Sequence, residues 1–111
     1  MTAYRGVVTR DGNMLLKVTK DRACPMPGFP FAPTNQPLPF QWRETFYGQW
    51  VVAYVILWDA TGAQHDLAQM YAADFAKEVV AKQSPERWEI PAPFVRQWIV
   101  DKCSADIMRP R

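Results

Sequence analysis

Apolar and polar residues alternate along the first twenty positions, in the stretch YRGVVTRDGNMLLKVTK. Val7 marks one apolar run, and Leu16 and Val18 mark the other. Asp11-Gly12 lies between the runs, and this residue pair tolerates the positive φ angles of a tight turn. The pattern therefore predicts an antiparallel β-hairpin.

A nine-residue run of apolar character, WVVAYVILW, covers residues 50–58. Gly48 precedes the run, and the stop signal Asp59-Ala-Thr-Gly62 follows it. A membrane helix needs ~20 apolar residues, so the run is too short to span a bilayer. It predicts a buried helix over residues 47–60.

Leu67, Tyr71, Phe75 and Val79 recur at every fourth position. This spacing places them on one stripe of an α-helix, and Asp66 in the first turn suits the helix dipole. The pattern predicts an amphipathic helix.

The C-terminal part predicts a short strand at residues 88–90, a helix from about Pro93, and a frayed tail at 104–111 that has no apolar stripe to hold it. The helix is expected to bury Phe94, Val95, Trp98 and Ile99.

These elements indicate an α+β fold in one compact domain over residues 1–111. A small antiparallel sheet, built from the hairpin and one or two short strands at 40–42 and 88–90, is expected to pack against three helices. An apolar content of 49% and a charged content of 22% are typical of globular proteins.

A proline-rich segment, CPMPGFPFAPTNQPLPF, connects the hairpin to the helices and holds six of the ten prolines. Proline lacks an amide hydrogen, so residues 24–39 are predicted to form neither a helix nor a central strand. One interpretation is a stiff connecting loop that packs on the core. The other is a recognition arm, because PGFP and PFAP satisfy the PxxP pattern.

The remaining bulk features favour a cytoplasmic protein without a membrane segment. No apolar stretch follows a basic N-terminus, so we expect no signal peptide. Cys24 and Cys103 are far apart and are expected to be reduced thiols. The net charge of +2 does not by itself predict nucleic-acid binding.

The order of these signals resembles a bacterial family of unknown function, DUF 6166. Its members have a Y-x-G…DG opening, FEWGY-x-G, a LY-x-x-FK-x-x-VVA helix and a closing W-x-L…I-x-x-WL. The matching positions are Tyr4, Gly6, Asp11, Gly12, Phe40, Trp42, Tyr47, Gly48, Tyr71, Phe75, Lys77, Val79, Val80, Ala81, Trp88, Ile90, Trp98 and Ile99. The resemblance implies a small α+β protein often carried on plasmids or phage-like elements, and it implies no catalytic residue.

No catalytic or cofactor motif is evident. A structural zinc site needs about four Cys or His ligands, whereas this chain has one histidine and two cysteines. His65, beside Asp66 at a helix start, is expected to cap the helix or to be solvated. We therefore expect no metal, no cofactor and no enzymatic activity.

Two functional hypotheses from different classes remain. The first is a protein-interaction module, acting as an inhibitor or adaptor on a host defence complex, with Arg22, Phe29, Phe31 and Arg43 as contacts. The second is a nucleic-acid-binding protein that uses the basic hairpin residues Arg5, Arg10, Lys17 and Lys20 to contact phosphates. A homodimer is compatible with either hypothesis.

Overall fold

The computed structural model describes residues 2–9, 12–20, 22–26, 46–84 and 86–108. Its elements, in chain order, are β1 (Thr2–Thr9), β2 (Gly12–Thr19), β3 (Arg22–Pro25), α1 (Phe46–Ala60), α2 (His65–Glu78), a 3₁₀ turn (Val80–Lys82), β4 (Arg87–Pro91) and α3 (Ala92–Met108). The predicted α+β class is confirmed. None of the helices in these ranges combines the length and apolar character needed to cross a bilayer.

The four strands described form one antiparallel sheet in the order β3-β2-β1-β4. The predicted N-terminal hairpin is confirmed, and its register pairs Thr9 with Gly12. Gly12 is thus the first residue of β2, although the sequence assigned it to the turn. Asp11 lies outside the described residues.

Strand β3 is an element that the hydrophobic pattern did not predict. It takes Cys24 and Pro25, the start of the proline-rich segment, into an edge of the sheet. The Met26 N–H donates to the Leu15 carbonyl at 2.9 Å. Hydrogen-bonded and non-hydrogen-bonded pairs alternate in such a ladder, so the neighbouring Leu16–Pro25 pair loses no bond to proline. The predicted strand at 40–42 lies outside the described residues.

Helices α1 and α2 confirm two predictions made from the hydrophobic pattern. In α1, residues 52–57 are all buried, which explains why this run shows no clear helical period. In α2 and the turn after it, Tyr71, Phe75 and Val79 are buried while Leu67 is half-buried. The predicted stripe therefore faces the core.

Helix α3 differs from prediction in two respects. Val95 and Ile99 are buried as predicted and Trp98 is half-buried, but Phe94 is 48% exposed, so the burial predicted for Phe94 is wrong. One helical position rotates a side chain by about 100°, and Phe94 points away from the side that Val95 and Ile99 define. The helix also continues to Met108, whereas a frayed tail was expected from residue 104.

The last turns of α3 have a tertiary contact that the sequence did not reveal. The Tyr71 hydroxyl donates to Asp106 Oδ2 at 2.6 Å. This hydrogen bond, followed by burial, raises the pKa of Tyr71 above its usual value of 10.0. The phenol therefore stays protonated at neutral pH and holds the end of α3 against α2.

Sheet and helices meet over a face formed by Tyr4, Leu15, Trp88 and Ile90, all of them buried. The register sets Tyr4 opposite Ile90 and Gly6 opposite Trp88. On the helical side, Trp98 meets Phe75 edge-on, with ring centroids 5.0 Å apart. Contacts between residues that are distant in sequence therefore complete the hydrophobic core.

Candidate functional site

An open cleft of about 770 Å³ lies on the hairpin formed by β2 and β3. Within the described part of the chain it is lined by Lys17, Thr19, Lys20, Arg22 and Cys24. The register pairs Lys17 with Cys24 and Thr19 with Arg22, so all four side chains lie on one face of the hairpin. We call this site the basic cleft, because three of the five lining residues that the structure describes are cationic.

Lys17 is held at one side of the basic cleft by Asp59 of α1. Its Nζ lies 2.9 Å from Asp59 Oδ2, and the Tyr4 hydroxyl donates to the same oxygen at 2.7 Å. Burial, followed by the hydrogen bond to Asp59, raises the pKa of Tyr4 above 10.0, so the phenol remains a donor at neutral pH. Asp59 therefore compensates the charge of Lys17 and joins the sheet to α1.

Lys20 and Arg22 are the described cations of the cleft that form no ion pair with another described residue. Both are exposed. Arg22 lies within strand β3, so the sheet fixes its backbone. Lys20 follows β2 directly and has a φ of 56°.

This positive φ is unusual for lysine, because the side-chain Cβ is crowded in the left-handed region. Glycine or asparagine would occupy the position with less strain. Lys20 lies in the two-residue connection between β2 and β3, and hairpin turns of this length favour positive φ angles, so the turn accounts for the conformation.

Replacing Lys20 with glycine should separate stability from binding. We expect the free energy of unfolding to rise by about 0.5–1 kcal/mol, because glycine relieves the strain at this φ. Binding of anions at the basic cleft should weaken at the same time. Urea unfolding measures the first effect; a loss of more than about 0.5 kcal/mol would contradict this view of the backbone.

The other cations proposed from the sequence do not join this site. Arg5 pairs with Leu16 in the register, whereas Lys17 pairs with Tyr4, so Arg5 and Lys17 lie on opposite faces of the sheet. Arg5 Nη2 is 2.8 Å from Glu89 Oε1 on that opposite face. Arg5 and Lys17 therefore cannot contribute to one basic face of the sheet. Arg10, Phe29, Phe31 and Arg43 lie outside the described residues.

Sequence reasoning named Lys17, Lys20 and Arg22 but assigned Arg22 to a different hypothesis from the two lysines. It missed Thr19 and Cys24 as their neighbours. The signal was present in the spacing, since Thr19 and Arg22 flank a two-residue connection typical of a hairpin. Strand β3 was not predicted, because the prolines that follow Arg22 disfavour a strand.

A second groove of about 290 Å³ lies between α2, β4 and α3. Its described lining residues are Glu78, Val79, Lys82, Gln83, Glu89, Ile90, Pro91 and Phe94. Carboxylates and a cation are mixed along this lining, and Glu78 itself is paired with Lys102. The groove therefore has no single charge character that indicates a ligand.

The remaining polar clusters carry structural contacts. His65 is exposed at the start of α2, and its Nδ1 is hydrogen-bonded to the Tyr54 hydroxyl. Gln64 occupies the N-cap position of α2, so of the two alternatives predicted for His65 capping is wrong, and its exposure fits the solvated alternative. Burial raises the pKa of Tyr54.

In the ranges described, no three Cys, His, Asp or Glu residues cluster as metal ligands do.

Comparison with known proteins gave one match, to a protein family. Searches of curated proteins and of solved structures found no match. The family of unknown function DUF6166 matches residues 4–101, which covers β1 from Tyr4 onward, the other described strands, α1, α2 and most of α3. This chain therefore belongs to the DUF6166 family.

Proposed function

We propose that this protein is a small non-catalytic interaction module, and that its protein partner binds over the basic cleft. The observation that carries the proposal is the placement of Arg22 and Lys20, two exposed cations held by strand β3 and its turn at an open cleft. Arginine is among the commonest anchors of protein interfaces, since its planar guanidinium binds carboxylates in a fixed geometry.

The distribution of charge favours a protein over a nucleic acid. Proteins that depend on phosphate contacts neutralise many phosphates, roughly 6–10 in a strongly salt-dependent complex. Here Asp59 compensates Lys17, and Arg5 is on the other face with Glu89. Two cations suffice for an acidic patch on a protein but give a small footprint on DNA or RNA.

Nucleic-acid binding is the second candidate, because Lys17, Lys20 and Arg22 converge on one open surface. That hypothesis predicts binding that falls steeply with salt concentration. The described lining residues include no aromatic ring on which bases could stack, and such rings are usual in single-strand binders. The compensation of Lys17 by Asp59 is the observation that keeps nucleic acid in second place.

The partner that we propose is a protein of the host cell, such as a component of a defence complex, met in the cytoplasm. The chain would act on it as an inhibitor or adaptor. The mobile-element setting of the family that the sequence resembles supports this choice. Inhibition by occupation needs a binding surface and no catalytic group, and a cleft whose described lining is mainly cationic can provide one.

Affinity capture from the native host, with and without nuclease, tests the proposal. The tagged protein is compared with K20Q/R22Q and with K82Q/R87Q, a matched control that also removes one lysine and one arginine, both exposed. We expect a stoichiometric protein that survives nuclease, and at least about tenfold less of it with K20Q/R22Q alone. A nuclease-sensitive mixture, or equal capture by both variants, would overturn the proposal.

A further inference from the structure

We infer that the basic cleft recognises an extended acidic peptide segment of the partner, through its Asp or Glu carboxylates. This inference rests on the proposed function and names the chemistry of the bound segment. It follows from how the lining residues are spaced and from which of their charges are compensated.

The lining residues form two rows across the hairpin. Thr19 and Arg22 make one row and Lys17 and Cys24 the other, each row being a directly opposed pair. The two rows are two residues apart along the strands, which corresponds to about 7 Å. Alternate side chains of an extended peptide have the same spacing, so carboxylates at positions i and i+2 match the two rows.

The two rows differ in charge. At the outer row, the Arg22 guanidinium and the nearby Lys20 ammonium donate to a carboxylate, and the Thr19 hydroxyl supplies a further donor. At the inner row, Asp59 already occupies Lys17 at 2.9 Å. The site therefore binds one carboxylate strongly and a second weakly. Such a site fits a short acidic segment better than a uniform polyphosphate chain.

The pairing of Lys17 with Asp59 allows a substitution that should strengthen binding, whereas K20Q/R22Q should weaken it. In Asp59→Asn, the amide oxygen still accepts the Tyr4 hydrogen bond, but the charge opposite Lys17 is gone. Lys17 then acts as a third cation of the cleft. Affinity for an acidic peptide should rise about two- to fivefold, whereas a substitution that merely disturbs folding would lower it.

The test measures binding of a fluorescein-labelled oligoglutamate, and of an oligothymidylate of equal length, by fluorescence anisotropy at low salt. Wild type, K20Q/R22Q, K82Q/R87Q and D59N are compared after thermal unfolding shows each to be folded. We expect the wild-type protein to bind oligoglutamate. The affinity should fall at least about tenfold in K20Q/R22Q, stay within about twofold of wild type in K82Q/R87Q, and rise in D59N.

Each contrary result overturns the inference. Tighter cleft-dependent binding of oligothymidylate would assign the cleft to nucleic acid. Absence of oligoglutamate binding, or equal binding by K20Q/R22Q, would remove the acidic segment as ligand. The two experiments can fail separately. If K20Q/R22Q reduces capture of a protein but oligoglutamate does not bind, only the acidic ligand is refuted. If oligoglutamate binds but K20Q/R22Q captures the protein as well as wild type does, only the proposed partner surface is refuted.

Discussion

Replacing Gly6 with alanine is expected to lower the free energy of unfolding by about 3 kcal/mol or more. A Cβ at Gly6 would lie 2.2 Å from Cε2 of Trp88 and 2.5 Å from its Cζ2 and Nε1. Trp88 is only 5% exposed, so its ring cannot swing aside without leaving the core. The variant must therefore either strain the β1–β4 pair or expose a tryptophan. Urea unfolding followed by circular dichroism measures the loss.

Gly62 provides the matched control. A Cβ there meets no atom within 4 Å, but φ is +70°, so Gly62→Ala should cost only the backbone strain of about 1 kcal/mol. A double-mutant cycle adds a second check. Trp88→Leu should cost less in the Gly6→Ala background than in wild type, because there the loss of the tryptophan ring also relieves the clash with the added Cβ at position 6. A Gly6→Ala loss below about 0.5 kcal/mol would contradict this packing.

Replacing Phe75 with alanine is expected to cost about 3–5 kcal/mol. Phe75 is fully buried on the α2 stripe, and its ring meets Trp98 edge-on at 5.0 Å. Truncation leaves a cavity between α2 and α3 and removes the aromatic contact, so both lost burial and lost packing contribute. Thermal and urea unfolding of the full chain measure the effect.

Phe94 is the control for this prediction, because it has the same side chain in a different place. It is 48% exposed on α3, so Phe94→Ala should change the free energy of unfolding by less than about 1 kcal/mol. Equal losses at Phe75 and Phe94 would show that α3 is rotated relative to the sheet and α2. The pair of variants thus tests the orientation of α3 directly.

Periodicity predicted the elements whose burial depends on local spacing. The stripe of α2 and the alternation of β4 are local patterns, and both were read correctly from single segments. The family resemblance carried further, because its signature positions meet across the fold. Gly6 faces Trp88 and Tyr4 faces Ile90 in the β1–β4 pair, while Tyr71 and Phe75 both contact Trp98. The signature positions of the family therefore mark residues that pack against one another between different elements of the fold.

The features that sequence reasoning missed depend on partners far along the chain. Strand β3 exists because Pro25 falls at a non-hydrogen-bonded position opposite Leu16, which a proline count cannot show. The sequence indicated Asp59 only as part of a helix stop signal. In the structure it accepts a hydrogen bond from Tyr4 of β1 and forms an ion pair with Lys17 of β2. Phe94 looked apolar enough for the core, but the rotation of α3 turns it outward.

The basic cleft lies outside the signature positions of the family. Lys20 and Arg22, which we propose as the binding residues, are absent from the matched motifs, whereas the signature residues described here are largely buried. A shared fold with a separate binding surface would allow members to engage different partners. Local charge on the β2–β3 hairpin is then the feature to compare between members.

The alkylation rate of Cys24 tests most directly whether the partner occupies the basic cleft, as we propose. Cys24 is exposed and lines the cleft, while Cys103 is half-buried on α3 and serves as an internal control in the same molecule. We predict that adding the captured partner slows alkylation of Cys24 in proportion to the fraction bound and leaves Cys103 unchanged. An unchanged Cys24 rate in the saturated complex would contradict the account.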